Sequence, residues 1–198
     1  MTYSEPMPRP TPPARKGDRR RAEILDVARR LLVDSGYDRV VMRDVATRVG
    51  VTLGNLQYYF PTRDDLLEGV VRAEFARNQA EIAALSAGTR PARAKLEAIT
   101  RHLIEIWARE GGRVYVVMSL LALHHRRFAA LHREIYAAFY DGLLPVLREI
   151  RPSATTAELR RLARLITTLI DGALVQIPGR TFVADAVATV LRLAAEVE

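Results

Sequence analysis

Residues 42–63 read MRDVATRVGVTLGNLQYYFPTR, and the order of residue types in this stretch predicts two short helices joined by a tight turn. Met42, Val45, Ala46 and Val49 fall at the i, i+3, i+4, i+7 spacing of one buried helical face, with Arg43, Asp44, Thr47 and Arg48 outside. Gly50 can adopt the left-handed conformation that closes a helix, after which Val51 returns to the core. Thr52 offers its hydroxyl to an unpaired amide of the following turn, and Pro61 disfavours helix at Phe60, which limits the second helix to about two turns. Leu56 and Phe60 are its inward residues, leaving Gly54, Asn55, Gln57, Tyr58 and Tyr59 on the outside.

That outer face suits DNA. Gly54 permits close approach of backbone to phosphate, Asn55 and Gln57 can donate and accept at base edges, and each tyrosine combines a flat apolar body with a hydroxyl. Arg43 is placed for bidentate contact to guanine, Asn55 and Tyr58 for base edges, and Thr52, Tyr59 and Arg63 for phosphates. With Leu53, Gly54 and Gln57 these form the expected DNA-binding set. The competing reading makes Tyr58 and Tyr59 core aromatics and the polar residues a solvated face.

The neighbouring residues weigh against that alternative. Ile24, Leu25, Ala28, Leu31, Leu32, Gly36, Tyr37 and Val40, then Val45, Ala46, Val49, Gly50, Val51, Thr52, Gly54, Leu56, Tyr59 and Phe60, then Arg63, Leu66 and Leu67 form an ungapped pattern. It resembles the DNA-binding domain of the TetR family of bacterial transcriptional regulators. Many members carry tyrosine directly after the recognition-helix leucine, where this chain has Gln57 followed by Tyr58 and Tyr59. The resemblance therefore leaves open which tyrosine meets phosphate and which reads a base.

The 198 residues are 49% hydrophobic, enough to build a core, and a net charge of +7 favours an anionic partner such as nucleic acid or a membrane surface. Residues 1–21 hold four of those seven charges. Without cysteine there are no disulfides or thiolate metal sites, as suits a reducing cytoplasm. No leader-like segment opens the chain and no apolar run reaches the ~18 residues that span a bilayer, so a cytoplasmic protein with no membrane partner is expected.

Residues 1–17 form an expected flexible, basic, proline-rich arm that either lies along DNA or acts as a solubilising tail. Residues 18–64 form the expected helix-turn-helix domain, with Asp18 an N-cap candidate, and 65–198 the effector-binding and dimerisation domain. Thr62 to Asp65 fit a capping pattern that opens a long fourth helix ending before Gly88, whose first amides, with Arg63, can grip a phosphate. A fifth helix runs from Pro91 to Gly111-Gly112. Val114 to Leu123 is apolar on every side; its β-branched content allows a strand, but an enclosed helix at the centre of the second domain fits its neighbours better. A seventh helix carries Phe128 to Leu143 and is expected to kink or restart at Pro145. Two more follow, from about Thr156 to Pro178-Gly179 and through Phe182 to Leu193. Nine helices and no convincing strand make an all-α fold.

The last two helices bear apolar residues over more than one face. The family resemblance implies that they pair with their copies as a four-helix homodimer interface, with Leu169 and Val190 as positions to test by charge. Thr167 to Gly172, TTLIDG, resembles a stretch in the subgroup that includes the choline-responsive, BetI-type repressors. Leu103, Trp107, Tyr115, Met118, Ser119, Leu121 and Tyr136 combine apolar surface with hydroxyls and are candidates to line an effector pocket, against the alternative of plain core packing. His124, His125 and His132 read as structural or solvated and not as metal ligands. No HExxH, GxSxG, phosphate loop or dinucleotide fingerprint is present, so neither catalysis nor a cofactor is expected. The leading expectation is a homodimeric repressor of a palindromic operator, released by a small molecule. The alternatives are an activator or an effector-independent DNA-binding protein, and beyond those an all-α enzyme or lipid carrier.

Overall fold

The computed structural model describes residues 16–109, 111–175 and 180–195, without the side chains of 16, 106–109, 111, 173–175 and 180–181. The expected arm lies almost wholly outside the described residues, as does the side chain of Trp107. The described residues form nine α-helices and one 3-10 turn, with no strand. In order these are α1 (Lys16–Ser35), the turn Tyr37–Arg39, α2 (Met42–Val49), α3 (Leu53–Tyr59), α4 (Arg63–Ser86), α5 (Ala92–Arg109), α6 (Gly111–His124), α7 (Arg126–Ile150), α8 (Thr156–Val175) and α9 (Arg180–Ala195). Asp18 sits in the first turn of α1, already inside the helix, and so is not its N-cap.

Local chemistry sets the short elements. Gly50 has φ 74° and ψ 37°, and its amide donates to the Ala46 and Thr47 carbonyls, so α2 ends in the left-handed conformation its glycine permits. The Thr52 hydroxyl accepts from the Asn55 amide at 3.2 Å and starts α3. A full capping box opens α4: the Asp65 amide donates to Thr62 Oγ1 at 3.1 Å and the Thr62 amide to Asp65 Oδ2 at 2.9 Å.

The head packs α1 against α2 and the beginning of α4 around Ile24, Ala28, Val45, Leu56 and Phe60. Gly69 of α4 faces Leu25 of α1 and Phe60, and a Cβ there would stand 2.8 Å from Phe60 Cε1 and 2.9 Å from Leu25 Cδ2. Gly69→Ala is therefore expected to destabilise by ~1–2 kcal/mol, because overpacking outweighs the ~1 kcal/mol gained in helix propensity. Thermal unfolding checks this, and an unchanged or raised melting temperature would show that the two side chains yield.

The second bundle is organised by α7, which packs on α4, α5, α6 and α8 and buries Phe128, Leu131, Ile135, Phe139, Leu143, Val146 and Leu147. Buried side chains on both sides of Pro145 hold α7 as one helix, without a restart, despite the missing amide. The apolar segment expected at the centre is α6, and it is helical but not enclosed. Val114, Tyr115 and Met118 are buried, whereas Val116, Leu120 and Leu123 are exposed at 43%, 56% and 77%. Because α6 packs against α1, α4, α5 and α7 with one side only, its outer face has no neighbour among the described residues.

Candidate functional site

The head presents α3 as the sequence pattern predicts. Leu56 and Phe60 are buried, Gly54, Asn55, Gln57 and Tyr58 are exposed, and Leu53 is half-buried. The two tyrosines separate in role. Tyr58 is 82% exposed, while Tyr59 is half-buried against the core and takes the Tyr58 ring edge-on with centroids 5.2 Å apart. A Cβ added at Gly54 would meet nothing of the protein within 4 Å, so nothing within this chain demands glycine there. Arg43 and Thr52 are exposed, and Thr47 Oγ1 donates to the Arg43 carbonyl at 2.9 Å.

Arg63 is not free for a phosphate in the way expected. Its Nε donates to the Val40 carbonyl at 2.9 Å, an Nη donates to the Tyr37 carbonyl, and the guanidinium lies 4.0 Å from the Tyr37 ring centroid. These contacts pin the turn between α1 and α2 against the start of α4, which makes Arg63 a strut of the reading head. The first turn of α4 is likewise engaged by its own capping box. The Asp65 carboxyl is held below its usual range by the Thr62 hydroxyl and then by Arg127, placing negative charge where a phosphate was expected.

Three ties among the described residues join the head to the second bundle. Arg127 of α7 bonds Asp65 at 2.6 Å and Glu68 at 2.8 Å, while Arg72 joins Glu68 at 2.9 Å to Glu134, gripped at 2.6 and 2.9 Å. Arg113 of α6 donates to the Val33 carbonyl of α1. The third is buried: Glu74 of α4 accepts from Arg29 Nε of α1 at 2.7 Å and from Arg77, and one turn later Asn78 donates to the Tyr115 hydroxyl of α6 at 3.0 Å. Glu74 and Asn78 are 2% and 3% exposed, polar positions within the apolar run of the fourth helix.

In the second bundle the expected effector residues divide. Leu103, Tyr115, Met118 and Leu121 are buried in the core, and Ser119 and Tyr136 are half-buried. Tyr136 lines a groove of about 560 Å³ between α7 and α8, together with His132, Arg133, Ala137, Tyr140, Asp141, Arg160 and Arg164. His132 stacks on Tyr136 at 4.3 Å, and burial and then Arg133 lower its pKa below the usual histidine value. The described residues contain no cluster that could hold a metal ion.

The sequence marks Asp171, with Gly172, only as a polar pair in a helix. The Tyr136 hydroxyl donates to its Oδ2 at 2.9 Å, while Oδ1 is buried with no hydrogen-bond partner among the described residues. Burial pushes this carboxyl up to about 6, and the bond from Tyr136 pulls it partly back. The hydroxyls of Tyr115, Tyr136 and Tyr140 are all raised, by burial foremost and with the Asp171 charge among the further causes. The TTLIDG stretch was the only signal, and Tyr136 lies 35 positions away.

With this arrangement in place, comparison with known proteins defines the class. Residues 24–70 match the family model described as bacterial regulatory proteins, tetR family, and residues 92–197 match the BetI-type transcriptional repressor C-terminal domain. The chain belongs to the TetR family, a family of transcriptional regulators and not of enzymes, with a DNA-binding helix-turn-helix and a BetI-type C-terminal domain. Among curated relatives, an uncharacterised HTH-type regulator of Xanthobacter autotrophicus is 43% identical over 84 residues, 41% of each chain. The HTH-type transcriptional repressor KstR of Mycolicibacterium smegmatis is 42% identical over 72 residues, 35% of each. The matched stretch thus spans about two fifths of these relatives. Solved structures share the whole fold. A TetR regulator of Haloarcula marismortui has TM-score 0.75 at 21% identity, covering 89% of this chain and 97% of its own. A regulator of Saccharomonospora viridis solved with choline has TM-score 0.70 at 21% identity, covering 87% and 94%. No helix among the described residues is long and apolar enough to cross a membrane.

Proposed function

We propose that this regulator is a homodimeric repressor that binds a palindromic operator and is released when a small molecule occupies the second bundle. The observation that carries this is the face of α3: Gly54, Asn55, Gln57 and Tyr58 are exposed on a helix whose inward residues are buried, and Arg43 of α2 and Thr52, which caps α3, are exposed as well. Tyr58 is the tyrosine for base edges because its ring stands clear of the protein, and Tyr59, braced on the core, suits a phosphate. Repression and ligand response are supported by relatives: a named repressor is 42% identical over 72 residues, and a protein solved with choline shares the fold.

Dimerisation through α8 and α9 is supported by Leu165 and Leu169 of α8, which remain 49% and 36% exposed in the single chain. Val190, expected on that interface, is fully buried within the protomer, so a charge there tests folding and not assembly. The route for control runs through the Tyr115–Asn78 bond to α4 and from Glu74 to Arg29 in the head. A ligand that weakens operator binding ~100-fold must favour the released form by about 2.7 kcal/mol, and operator must weaken the ligand by the same factor.

Anisotropy titrations against operator variants test the reading. Arg43→Ala is expected to cost ~1–3 kcal/mol at one base pair per half-site, whereas Thr52→Val weakens all sequences alike. Loss of equal size on every sequence for both variants would remove Arg43 from base readout.

A further inference from the structure

The groove between α7 and α8 combines an aromatic wall with an excess of positive charge. His132, Tyr136 and Tyr140 follow one another by single turns along α7, and all three line it. Two contacts fix Tyr136: its ring stacks on His132 at 4.3 Å, and its hydroxyl donates to the Asp171 carboxyl at 2.9 Å. Tyr140 meets the Tyr136 ring edge-on at 6.1 Å. The wall is therefore set before any ligand arrives. The groove volume of about 560 Å³ lies within the range of about 300–1,000 Å³ usual for small-molecule clefts. The cations divide. Arg160 of α8 is gripped by Asp141 at 2.8 and 3.2 Å, so those two charges offset each other. Arg133 and Arg164 line the same groove from opposite helices, both exposed, and neither is bonded to a carboxylate among the described residues. Arg164 lies instead 5.9 Å from the Tyr140 ring centroid. The groove is thus positive where it is exposed and aromatic where it is half-buried.

We propose that this groove binds an aromatic carboxylate, whose ring packs on Tyr136 and Tyr140 while its carboxylate accepts from the guanidinium groups of Arg133 and Arg164. This rests on the reading that the second bundle takes a small effector, and it names the effector's chemistry. An alcohol of the same shape keeps the ring contact but gives up the charge-assisted bonds. An amine brings its positive charge against two guanidinium groups, and a small acid without a ring leaves the aromatic wall uncovered. Asp171 does not line the groove and acts only through Tyr136, as the anchor of its hydroxyl. The face of α8 proposed for dimerisation is a different one. At about 100° per residue, Leu165 and Leu169 stand roughly 140° round the helix from Arg160 and Arg164.

The test is calorimetry on the full chain at pH 7.5 and constant salt with phenylacetate, 2-phenylethanol, phenethylamine and acetate. Phenylacetate is expected to bind roughly tenfold or more tightly than each of the others. Arg133→Gln and Arg164→Gln together should abolish its preference over the alcohol, and both positions are exposed, so the fold should tolerate the changes. Arg161→Gln, at an exposed arginine of α8 that does not line this groove, should leave phenylacetate affinity unchanged. Equal affinity for acid and alcohol, no measurable binding of phenylacetate at millimolar concentration, or a loss in Arg161→Gln as large as in the double variant would each overturn the proposal. Operator anisotropy run in parallel separates the two readings. Phenylacetate binding that depends on Arg133 and Arg164 but leaves operator affinity unchanged upholds this site and sinks effector release. Release of operator by the alcohol or the amine, with phenylacetate not binding, does the reverse.

Discussion

Glu74→Ala is expected to cost ~3–5 kcal/mol, the usual cost of removing one partner from a buried ion pair. The magnitude follows from the partner left behind. Arg77 is 48% exposed and can turn to water, but Arg29 is 18% exposed, and its guanidinium would remain between α1 and α4 with its bond to Glu74 lost. At this chain length the loss corresponds to a fall in melting temperature of roughly 10 °C, measured at fixed protein concentration because dimerisation also contributes. Replacing both members, Arg29→Met with Glu74→Leu, should recover most of the stability, since apolar pairs of similar volume often do as well as a buried ion pair. It should also weaken the response of operator binding to ligand, because the polar tie from α4 to the head is gone. A melting temperature for Glu74→Ala within about 2 °C of the unaltered chain would mean that the Arg29–Glu74 bond holds nothing together.

Gly54→Leu is expected to move stability and DNA affinity in opposite directions. Nothing of the protein lies within 4 Å of a Cβ at this position, and Gly54 is helical, so a side chain there should add ~0.5–1 kcal/mol of stability. On the proposed interface the same side chain occupies the space where backbone approaches DNA, and operator affinity should fall by about 100-fold or more, or ~2.7 kcal/mol. Gly54→Ala should gain at least as much stability, because alanine is the better helix former, with a smaller loss of operator affinity. The contrast with Gly69 is instructive, since there the neighbouring atoms belong to Leu25 and Phe60 of the same chain. If Gly54→Leu binds operator as tightly as the unaltered chain, α3 does not approach DNA by this face.

The parts of the molecule visible in the sequence are those governed by neighbours a few residues apart. Gly50, Thr52, Pro61 and the Thr62–Asp65 box act within one turn, and each appears in the structure in the role its chemistry dictates. What escaped were the residues whose partners are remote along the chain. Arg63 reads as a free cation at a helix start until its acceptors prove to be the carbonyls of Val40 and Tyr37. Asp171 reads as a polar residue on an amphipathic helix until Tyr136 and the buried Oδ1 are seen together. The uniform apolarity of Val114 to Leu123 suggested an enclosed helix because composition carries no information on which side neighbours stand. Val190 was assigned to an interface for a related reason, as a helix shared between a core and a partner shows apolar residues on both faces.

The central claim, that α2 and α3 form a sequence-reading surface presented twice by a dimer, is tested most directly by selecting bound fragments from random double-stranded DNA and locating the protected bases. An inverted repeat is expected, with half-site centres about one helical turn apart, roughly 34–36 Å, or a multiple of that spacing. It also predicts that Tyr58→Ala and Arg43→Ala change which bases are enriched. Recovery of no shared motif, or of a motif that both variants enrich unchanged, would contradict it.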